Sequence, residues 1–274
     1  MATLYFFNGT QSGTADGSYA DPYDLTQLAT QQSSSTSGDV FIFKDGTYTV
    51  LSSLTLGADG ITLRAENTGN VLINHTGLNL GNSTGNYAGF NLKGIKFNGG
   101  NFLGLRIIDG DYLAVEECEF IGHASAYRTL VGDTGALDNG FGMNASFKRC
   151  VFEGESRASE VRFFRYRLST ISHNLTLDSC TIVLSTTAGG SGIFQQGEPG
   201  THVVKNTIAT CTTSGANLGS PQGFTENNNC YYNIGESADT AKGIIVDDPQ
   251  FINTANGDYR LRPTSPCISA GTAS

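Results

Sequence analysis

An eight-residue phrase occurs five times between Phe90 and Ile208, and this repetition constrains the fold more than any other feature of the chain. The copies read FNLKGIKF, LAVEECEF, ASFKRCVF, LTLDSCTI and THVVKNTI and begin at Phe90, Leu113, Ala145, Leu175 and Thr201. Apolar and polar residues alternate within each copy, and Gly, Asn and Ser surround it, which is typical of β-strands. Because one such unit cannot bury an apolar face alone, the repeats are expected to stack on one another.

The aligned copies share three columns of inward-facing residues. The columns are Leu92, Val115, Phe147, Leu177 and Val203; then Ile95, Cys118, Cys150, Cys180 and Asn206; then Phe97, Phe120, Phe152, Ile182 and Ile208. Short strands that stack at about 4.8 Å per layer form a parallel β-helix. We therefore predict an all-β solenoid of about nine coils.

A single β-helix domain is predicted to span the chain in three parts. These are an N-terminal cap with the first strands (1–48), the coils (49–232), and a C-terminal coil with a closing segment (233–274). Within the cap, Asp24 is the expected N-cap of a short helix, LTQLATQQ. Leu25, Leu28 and Ala29 of this helix are expected to close the open core of the first coil.

The composition excludes several classes of partner. The chain is acidic, with a net charge of −9, which argues against general binding to nucleic acid or to an anionic membrane. It has no apolar run of about 18 residues, the length that spans a membrane, and its start, MATLYFFNG, lacks the basic and apolar parts of a signal peptide. The six cysteines include no CxxC pair, and stacked inward thiols behave as small apolar side chains. Neither a metal nor a cofactor is therefore predicted.

Both ends of the chain carry short motifs of a known kind. The tail contains Asp248-Pro249-Gln250-Phe251, Gly257-Asp258-Tyr259-Arg260-Leu261 and Ser265-Pro266-Cys267-Ile268, and the start contains Asp45-Gly46-Thr47-Tyr48. With the repeats between them, these motifs resemble the pectate-lyase-like superfamily. The resemblance implies a right-handed parallel β-helix. It leaves the activity open, because this superfamily includes lyases, hydrolases, epimerases, viral tailspikes and adhesins without catalytic activity.

The catalytic patterns of the superfamily can be compared with this chain residue by residue. β-Helix polygalacturonases carry paired aspartates, Gly-His-Gly and Arg-x-Lys. Here Gly122-His123-Ala124 breaks the second pattern, the third is absent, and Asp247-Asp248 belongs to the terminal motif. No catalytic residue is therefore assigned, and the sequence favours a protein without enzymatic activity.

Charges on the outer side of the repeat alternate in sign. Lys93, Glu116, Lys148 and Asp178 hold equivalent positions on four successive copies. Opposite charges on neighbouring strands stabilise strand pairing by about 0.2–1 kcal/mol each. This ladder of ion pairs is predicted to be structural.

Arginines form the strongest candidate for a ligand or partner surface. Arg106, Arg128 and Arg162 occupy strands that match, so their charges repel unless anions lie between them. Either nearby aspartates such as Asp109 supply these anions, or a bound polyanion such as an acidic polysaccharide does. More arginines surround an aromatic ring in the stretch SRASEVRFFRYRL. The predicted surface consists of Arg106, Arg128, Arg162, Arg165, Arg167 and Tyr166.

Two functions fit these observations. The leading hypothesis is a structural or adhesin protein without enzymatic activity, foremost a bacteriophage virion component (a tailspike, fibre or capsid decoration) that binds a glycan or neighbouring subunits as a homo-oligomer, trimeric as in similar viral β-helices. Its location is then the virion, with the extracellular space or cell surface as the alternative. The other hypothesis is a lyase or glycoside hydrolase that acts on an acidic polysaccharide. Only the enzyme requires a cleft in which basic residues and carboxylates converge.

Overall fold

The computed structural model describes residues 1–10, 13–50, 58, 60–75, 79–81, 89–99, 106–108, 112–123, 144–156, 174–186, 200–212 and 224–272. In chain order the elements are β1 (Thr3–Phe6), α1 (Leu25–Ser33), β2 (Val40–Phe43), β3 (Gly46–Val50), β4 (Ile61–Ala65), β5 (Val71–His75), β6 (Asn79–Gly81), β7 (Phe90–Lys93), β8 (Ile95–Gly99), β9 (Arg106–Ile108), β10 (Tyr112–Glu116), β11 (Glu119–His123), β12 (Asn144–Lys148), β13 (Val151–Ser156), β14 (Asn174–Asp178), β15 (Thr181–Thr186), β16 (His202–Lys205), β17 (Ile208–Cys211), β18 (Phe224–Asn227), β19 (Cys230–Tyr232), β20 (Ile245–Val246), β21 (Phe251–Asn253), a 3-10 turn (Thr254–Asn256) and β22 (Asp258–Leu261).

These strands form two long parallel sheets. The first sheet has the order β1-β2-β4-β7-β10-β12-β14-β16-β18, and the second has the order β20-β19-β17-β15-β13-β11-β8-β5-β3. A shorter parallel pair, β6 with β9, belongs to a third face. Each coil therefore contributes one strand to each long sheet, and the prediction of a parallel β-helix is confirmed.

The core lies between the two sheets and is filled by the repeat columns. Phe97, Phe120 and Phe152 stack with ring centroids 5.4 and 5.3 Å apart and planes within 8° of parallel. All three rings are buried. Offset aromatic stacking adds about 0.5–1.5 kcal/mol per pair to the burial of apolar surface. The third predicted column thus forms a continuous aromatic stack through these coils.

The fifth copy of the repeat was misaligned by one residue. In the structure Leu175 lies opposite His202 and Leu177 opposite Val204, so the copy reads HVVKNTIA. Val204 and Thr207 face the core, whereas Val203 and Asn206 do not. The buried His202 occupies the first inward position, and a histidine there interrupts the apolar alternation on which the alignment depended.

A left-handed residue forms the corner between the two sheets in each of these coils. The backbone angle φ lies between 52° and 69° at Gly94, Glu117, Arg149, Ser179, Asn206 and Asn228. The corner N–H groups donate along the stack, as Glu117 does to the carbonyl of Lys148 at 3.0 Å. Most of these residues are not glycine, although the left-handed region costs other residues about 1–2 kcal/mol. Hydrogen bonds to corners of the same backbone conformation in neighbouring coils hold these residues in the left-handed region.

The predicted ladder of outer charges forms, with one change of partner. Lys93 Nζ lies 2.8 Å from Glu116, and Lys205 Nζ lies 3.2 Å from Asp178. Lys148 is in register with Glu116, but the guanidinium that pairs with Glu116 belongs to Arg149, the adjacent corner residue. Lys93 is exposed and Glu116 and Lys148 are half-buried, but Asp178 is buried, so the ladder is solvated only in part.

The cysteines divide into two groups. Cys118, Cys150, Cys180 and Cys211 are free and buried, which confirms the predicted thiol column for the first three. Burial raises the pKa values of the Cys118 and Cys180 thiols well above the ordinary value of a cysteine, so both thiols stay protonated. The remaining two, Cys230 and Cys267, form a disulfide, which the sequence did not indicate.

Helix α1 begins and caps the solenoid as predicted. The Asp24 side chain accepts a hydrogen bond from the Thr26 N–H, and the Asp24 N–H donates one to the Gln27 side-chain oxygen, which completes a capping box. Leu28 is buried in the core, but Ala29 is exposed, because it points to the solvent side of the helix. In the described part of the chain no helix has the length and apolarity that a membrane crossing requires.

Candidate functional site

The outer side of the second sheet carries apolar residues where a solvated sheet would be polar. Val151, Val183 and Ile208 all face outward. The C-terminal tail, residues 248–272, covers this side, and Val183 is only 7% exposed. In this tail, strands β21 and β22 pair antiparallel and form a hairpin. Outward apolar residues therefore mark the surface on which the tail packs.

Three attachments fix the tail to the solenoid. The Asn206 side chain donates to the Thr272 carbonyl at 3.2 Å and accepts from the Thr272 N–H at 2.8 Å. The Asn228 side chain donates to the Ala270 carbonyl at 3.4 Å. The Cys230–Cys267 disulfide lies between these contacts and the hairpin. Corner residues of successive coils thus serve as binding points for the tail.

Between the tail and the second sheet lies a groove of about 480 Å³, which we call the hairpin groove. Strands β8, β11, β13 and β15 form its floor, and the hairpin forms its wall. Its lining residues are Lys96, Glu119, Val151, Thr181, Asn256, Gly257, Asp258, Tyr259 and Arg260. Most of its lining residues are polar or charged, and several have side chains that can take part in acid–base reactions.

Acidic, basic and phenolic groups converge in the hairpin groove. Lys96 Nζ lies 3.0 Å from a carboxylate oxygen of Glu119. The Tyr259 phenol lies close to Glu153, the outward residue two positions beyond Val151, and both Glu153 and Glu119 act electrostatically on it. On the hairpin side, Arg260 lies 2.7 Å from Asp258. Two carboxylates from adjacent strands, Glu119 and Glu153, therefore face one tyrosine from the tail.

The environment sets the protonation of two of these groups. Burial, together with the nearby carboxylate of Glu153, raises the pKa of Tyr259 well above its ordinary value. The phenol therefore keeps its proton at neutral pH and acts as a donor. The hydrogen bond from Arg260 lowers the pKa of Asp258 to about 2, so this carboxyl is ionised.

The register determines the spacing of the two glutamates. Glu119 lies opposite Val151, so Glu153 is one strand across and two residues along. With strands about 4.8 Å apart and a rise of about 3.3 Å per residue, the two Cβ atoms are about 8 Å apart. Carboxyl groups about 6.5–9.5 Å apart leave room for both a glycosidic bond and a water molecule.

The predicted arginine surface is only partly described. Arg106 begins β9 and lies opposite Asn79 of β6 on the third face, away from the hairpin groove. The other members, Arg128, Arg162, Arg165, Arg167 and Tyr166, lie outside the described residues. The surface therefore stays a prediction.

The hairpin groove was missed by sequence reasoning, although signals for it were present. The sequence assigned neither Glu119 nor Glu153 to this face, and Tyr259 was assigned only to the terminal motif. The signal that marks this face is the row of outward Val and Ile residues. Among the described residues, no group of three or more His, Cys, Asp or Glu could hold a metal ion.

Comparisons with known proteins identify relatives of the fold only. No protein-family model and no curated protein matches the sequence. Solved structures that are similar include a pectin methylesterase from Aspergillus niger (16% identity over 84% of this chain and 75% of that chain, TM-score 0.45). Another is pectate lyase Pel9A (12% over 100% and 92%, TM-score 0.40).

A third is a mannuronic-acid-specific polysaccharide family 6 lyase from human gut microbiota (14% over 85% and 54%, TM-score 0.40). These neighbours act on polysaccharides. At such identities and TM-scores, the likeness carries no argument about what this chain does.

Proposed function

We propose that the protein is a polysaccharide-cleaving enzyme, a glycoside hydrolase that acts in the hairpin groove. The observation that carries this proposal is the convergence of Glu119 and Glu153 on Tyr259 beside Lys96. A cleft with convergent carboxylates and basic residues is what an enzyme requires and a simple contact surface does not. The proposal favours the enzymatic hypothesis over the non-enzymatic one.

The charges of the groove favour a neutral polysaccharide. The basic side chains Lys96 and Arg260 are each already paired with a carboxylate. The carboxylates of Glu119 and Asp258 line the groove and that of Glu153 lies beside Tyr259, so three carboxylates accompany these two cations. A uronate polymer would meet excess negative charge and no uncommitted cation, which disfavours it by like-charge repulsion. For this groove we therefore propose a neutral polysaccharide as the substrate, in preference to the acidic polysaccharide expected from the sequence.

We propose hydrolysis with inversion of the anomeric centre, because Cβ atoms about 8 Å apart allow the two carboxyl groups to take the wider spacing of inverting enzymes. One carboxyl donates its proton to the glycosidic oxygen as the bond from that oxygen to the anomeric carbon breaks. The other carboxylate takes a proton from a water molecule whose oxygen bonds to the same carbon from the opposite side. Tyr259, which lies beside Glu153, orients this carboxyl group in the proposed mechanism, so it is a positioning residue.

The test is the release of reducing ends from xylan, mannan, mixed-linkage glucan, pectate and alginate by the purified protein. We expect turnover on a neutral polymer, inversion of the anomeric configuration by NMR, and a loss of about 10²–10⁴-fold in kcat for Glu119→Gln and for Glu153→Gln. Tyr259→Phe should retain part of the activity with a shifted pH profile, since it removes only the phenol hydroxyl beside Glu153.

A matched control is Glu116→Gln. Glu116 also faces outward and pairs with a lysine of the preceding coil at 2.8 Å, but it lies on the first sheet, away from the groove. It should keep wild-type kcat. No turnover on any polymer, or an equal loss in Glu116→Gln and Glu119→Gln, contradicts the proposal.

The remaining expectations about biological context stay predictions. A phage virion location, a homo-oligomer and partner subunits depend on surfaces that include the arginine stretch outside the described residues. A glycan-cleaving groove is compatible with a virion protein, since a tailspike that binds a glycan also benefits from cutting it. The oligomeric mass, measured in the same preparation, tests this part separately.

A further inference from the structure

A second cavity continues the outer face of the second sheet beyond the hairpin groove. It has a volume of about 510 Å³ and lies over β15, β17 and β19. The tail forms one side of this cavity too, through the segment before the hairpin, residues of the hairpin itself, and Arg262 after it. Its lining residues are Val183, Thr210, Cys211, Thr212, Tyr232, Asn233, Asp248, Pro249, Gln250, Phe251, Thr254 and Arg262. We call it the distal cavity.

The distal cavity has the composition of a site for a neutral sugar. Tyr232 is 36% exposed, so part of its aromatic ring is accessible at the edge of the cavity. Around it stand hydroxyl, amide and carboxylate groups, including Thr210, Gln250 and Asp248. Aromatic faces pack against the C–H side of a sugar ring, and polar groups at the rim bind its hydroxyls. One cation, Arg262, balances one anion, so the cavity has no strong preference for charge.

Internal hydrogen bonds hold several of these polar groups in place. The Asn233 side chain donates to the Cys211 carbonyl at 3.0 Å. Gln250 accepts from the Thr264 hydroxyl at 2.6 Å, and Arg262 donates to the Ile252 carbonyl at 3.3 Å. Groups fixed in this way lose little conformational freedom when a ligand binds.

The hairpin groove and the distal cavity lie on the same face of the second sheet, with the cavity displaced by two residues along the strands, from Thr181 to Val183 on β15. The groove occupies β8, β11, β13 and β15, and the cavity occupies β15, β17 and β19. Adjacent strands are about 4.8 Å apart, so the two sites together extend about 24 Å along the solenoid axis. The strand spacing is close to the length of one sugar residue in an extended polysaccharide chain.

We propose that the distal cavity is a sugar-binding subsite that holds the same neutral polysaccharide several residues away from the cleavage point, with Tyr232 as its stacking platform. This inference rests on the proposed function for the identity of the polymer. It adds a specificity determinant: the enzyme prefers chains long enough to fill both sites.

The chain contains no tryptophan, which permits a direct binding test. Tyr232→Trp places a single indole in the distal cavity. The probes are xylohexaose, mannohexaose and cellohexaose with their three disaccharides, added to the purified full-length variant. We expect a change in tryptophan emission with at least one hexasaccharide, and at least tenfold weaker binding of the matching disaccharide. Tyr112→Trp, on the outer side of the first sheet and 42% exposed, is the control and should not respond.

Hydrolysis kinetics provide the second measurement. Tyr232→Ala should raise KM for the hexasaccharide at least fivefold while leaving kcat, and the melting temperature, near the wild-type values. Emission changes without turnover would contradict the proposed hydrolysis and leave the subsite supported. Turnover with no emission change and an unaltered KM in Tyr232→Ala would overturn the subsite alone. No response and no turnover with any probe would overturn both.

Discussion

His75 is a basic residue that the fold buries without its charge. It ends β5, opposite Gly99 of β8, and its side chain is 3% exposed. Burial lowers its pKa to about 4, because an imidazolium is costly to remove from water. An unfolded histidine titrates near 6.5. The folded and unfolded states therefore bind different numbers of protons over this interval of pH.

We predict that His75 makes the protein less stable as the pH falls from about 6.5 to about 4. Above that window histidine is neutral in both states and contributes no pH dependence. Within it the unfolded chain takes up a proton that the folded chain excludes, so the free energy of unfolding falls, by about 3 kcal/mol at most. Urea titrations of wild type and His75→Gln across this range measure the effect.

Comparing wild type with His75→Gln separates the contribution of His75 to the pH dependence of stability from the contributions of other titratable groups. Carboxylates such as Asp39 and Asp178, whose pKa values are lowered, lose their stabilising contribution at lower pH and do so in both proteins. The difference in unfolding free energy should therefore change with pH only in the histidine window. A constant difference between pH 7 and pH 4 would show that His75 becomes charged in the folded state.

At the scale of elements, the stacked phenylalanines link three coils of the second sheet. Phe120 lies between Phe97 and Phe152 and also meets Phe147 edge-on at 6.4 Å. We predict that Phe120→Ala lowers the free energy of unfolding by about 3–5 kcal/mol, because it leaves a cavity within the stack. Phe120→Leu keeps most of the volume and should cost less than about 1.5 kcal/mol.

Equilibrium unfolding in urea checks both values. Ile252→Ala, an exposed apolar residue on the tail hairpin, is the control and should change stability by less than about 0.5 kcal/mol. A loss below about 1 kcal/mol for Phe120→Ala would mean that neighbouring rings collapse into the space.

The success of sequence reasoning differs between these elements for a physical reason. Four repeat copies were aligned correctly because Phe, Leu, Val and Cys all satisfy an apolar position, and the corner after each strand has constant length. The fifth failed where hydrogen bonding replaces apolar packing. There the Thr207 hydroxyl accepts from the Cys180 N–H at 3.3 Å, and Asn229 accepts from the Thr207 N–H at 2.9 Å. Polar residues that are satisfied inside a core give no apolar signal.

The hairpin groove could not be predicted, because it is a tertiary contact between distant segments. Tyr259 and Glu153 carry no local pattern that brings them together, and only the position of the tail does so. Even the outward Val and Ile residues indicate that something covers the face without indicating what. Local sequence therefore predicts the coils well, and it predicts poorly which side of the coils the tail occupies.

For the whole molecule, the tail is both a structural strap and part of the proposed site. It carries Asp258, Tyr259 and Arg260 of the hairpin groove, and the Cys230–Cys267 disulfide ties it to β19. A disulfide of this sequence separation, 37 residues, contributes about 2–4 kcal/mol by restricting the unfolded chain. Breaking it should therefore loosen the wall of the groove while leaving the coils folded.

We predict that Cys267→Ser lowers the free energy of unfolding by about 2–4 kcal/mol, exposes the tail to limited proteolysis, and reduces the turnover proposed for the groove. Dithiothreitol should bring the wild type close to the variant and leave the variant itself unchanged. Without reductant, denatured wild type should show four reactive thiols, those of the free cysteines. The variant should show five, because one of the six cysteines is then serine.

Thiol counting and proteolysis together decide this prediction. Six reactive thiols in the wild type would mean that Cys230 and Cys267 are not joined. Four thiols with a tail that remains resistant to protease after reduction would assign its attachment to the Asn206 and Asn228 side chains, each of which bonds a tail carbonyl. In that case Asn206→Ala, which removes three hydrogen bonds with Thr272, should release the tail that reduction did not.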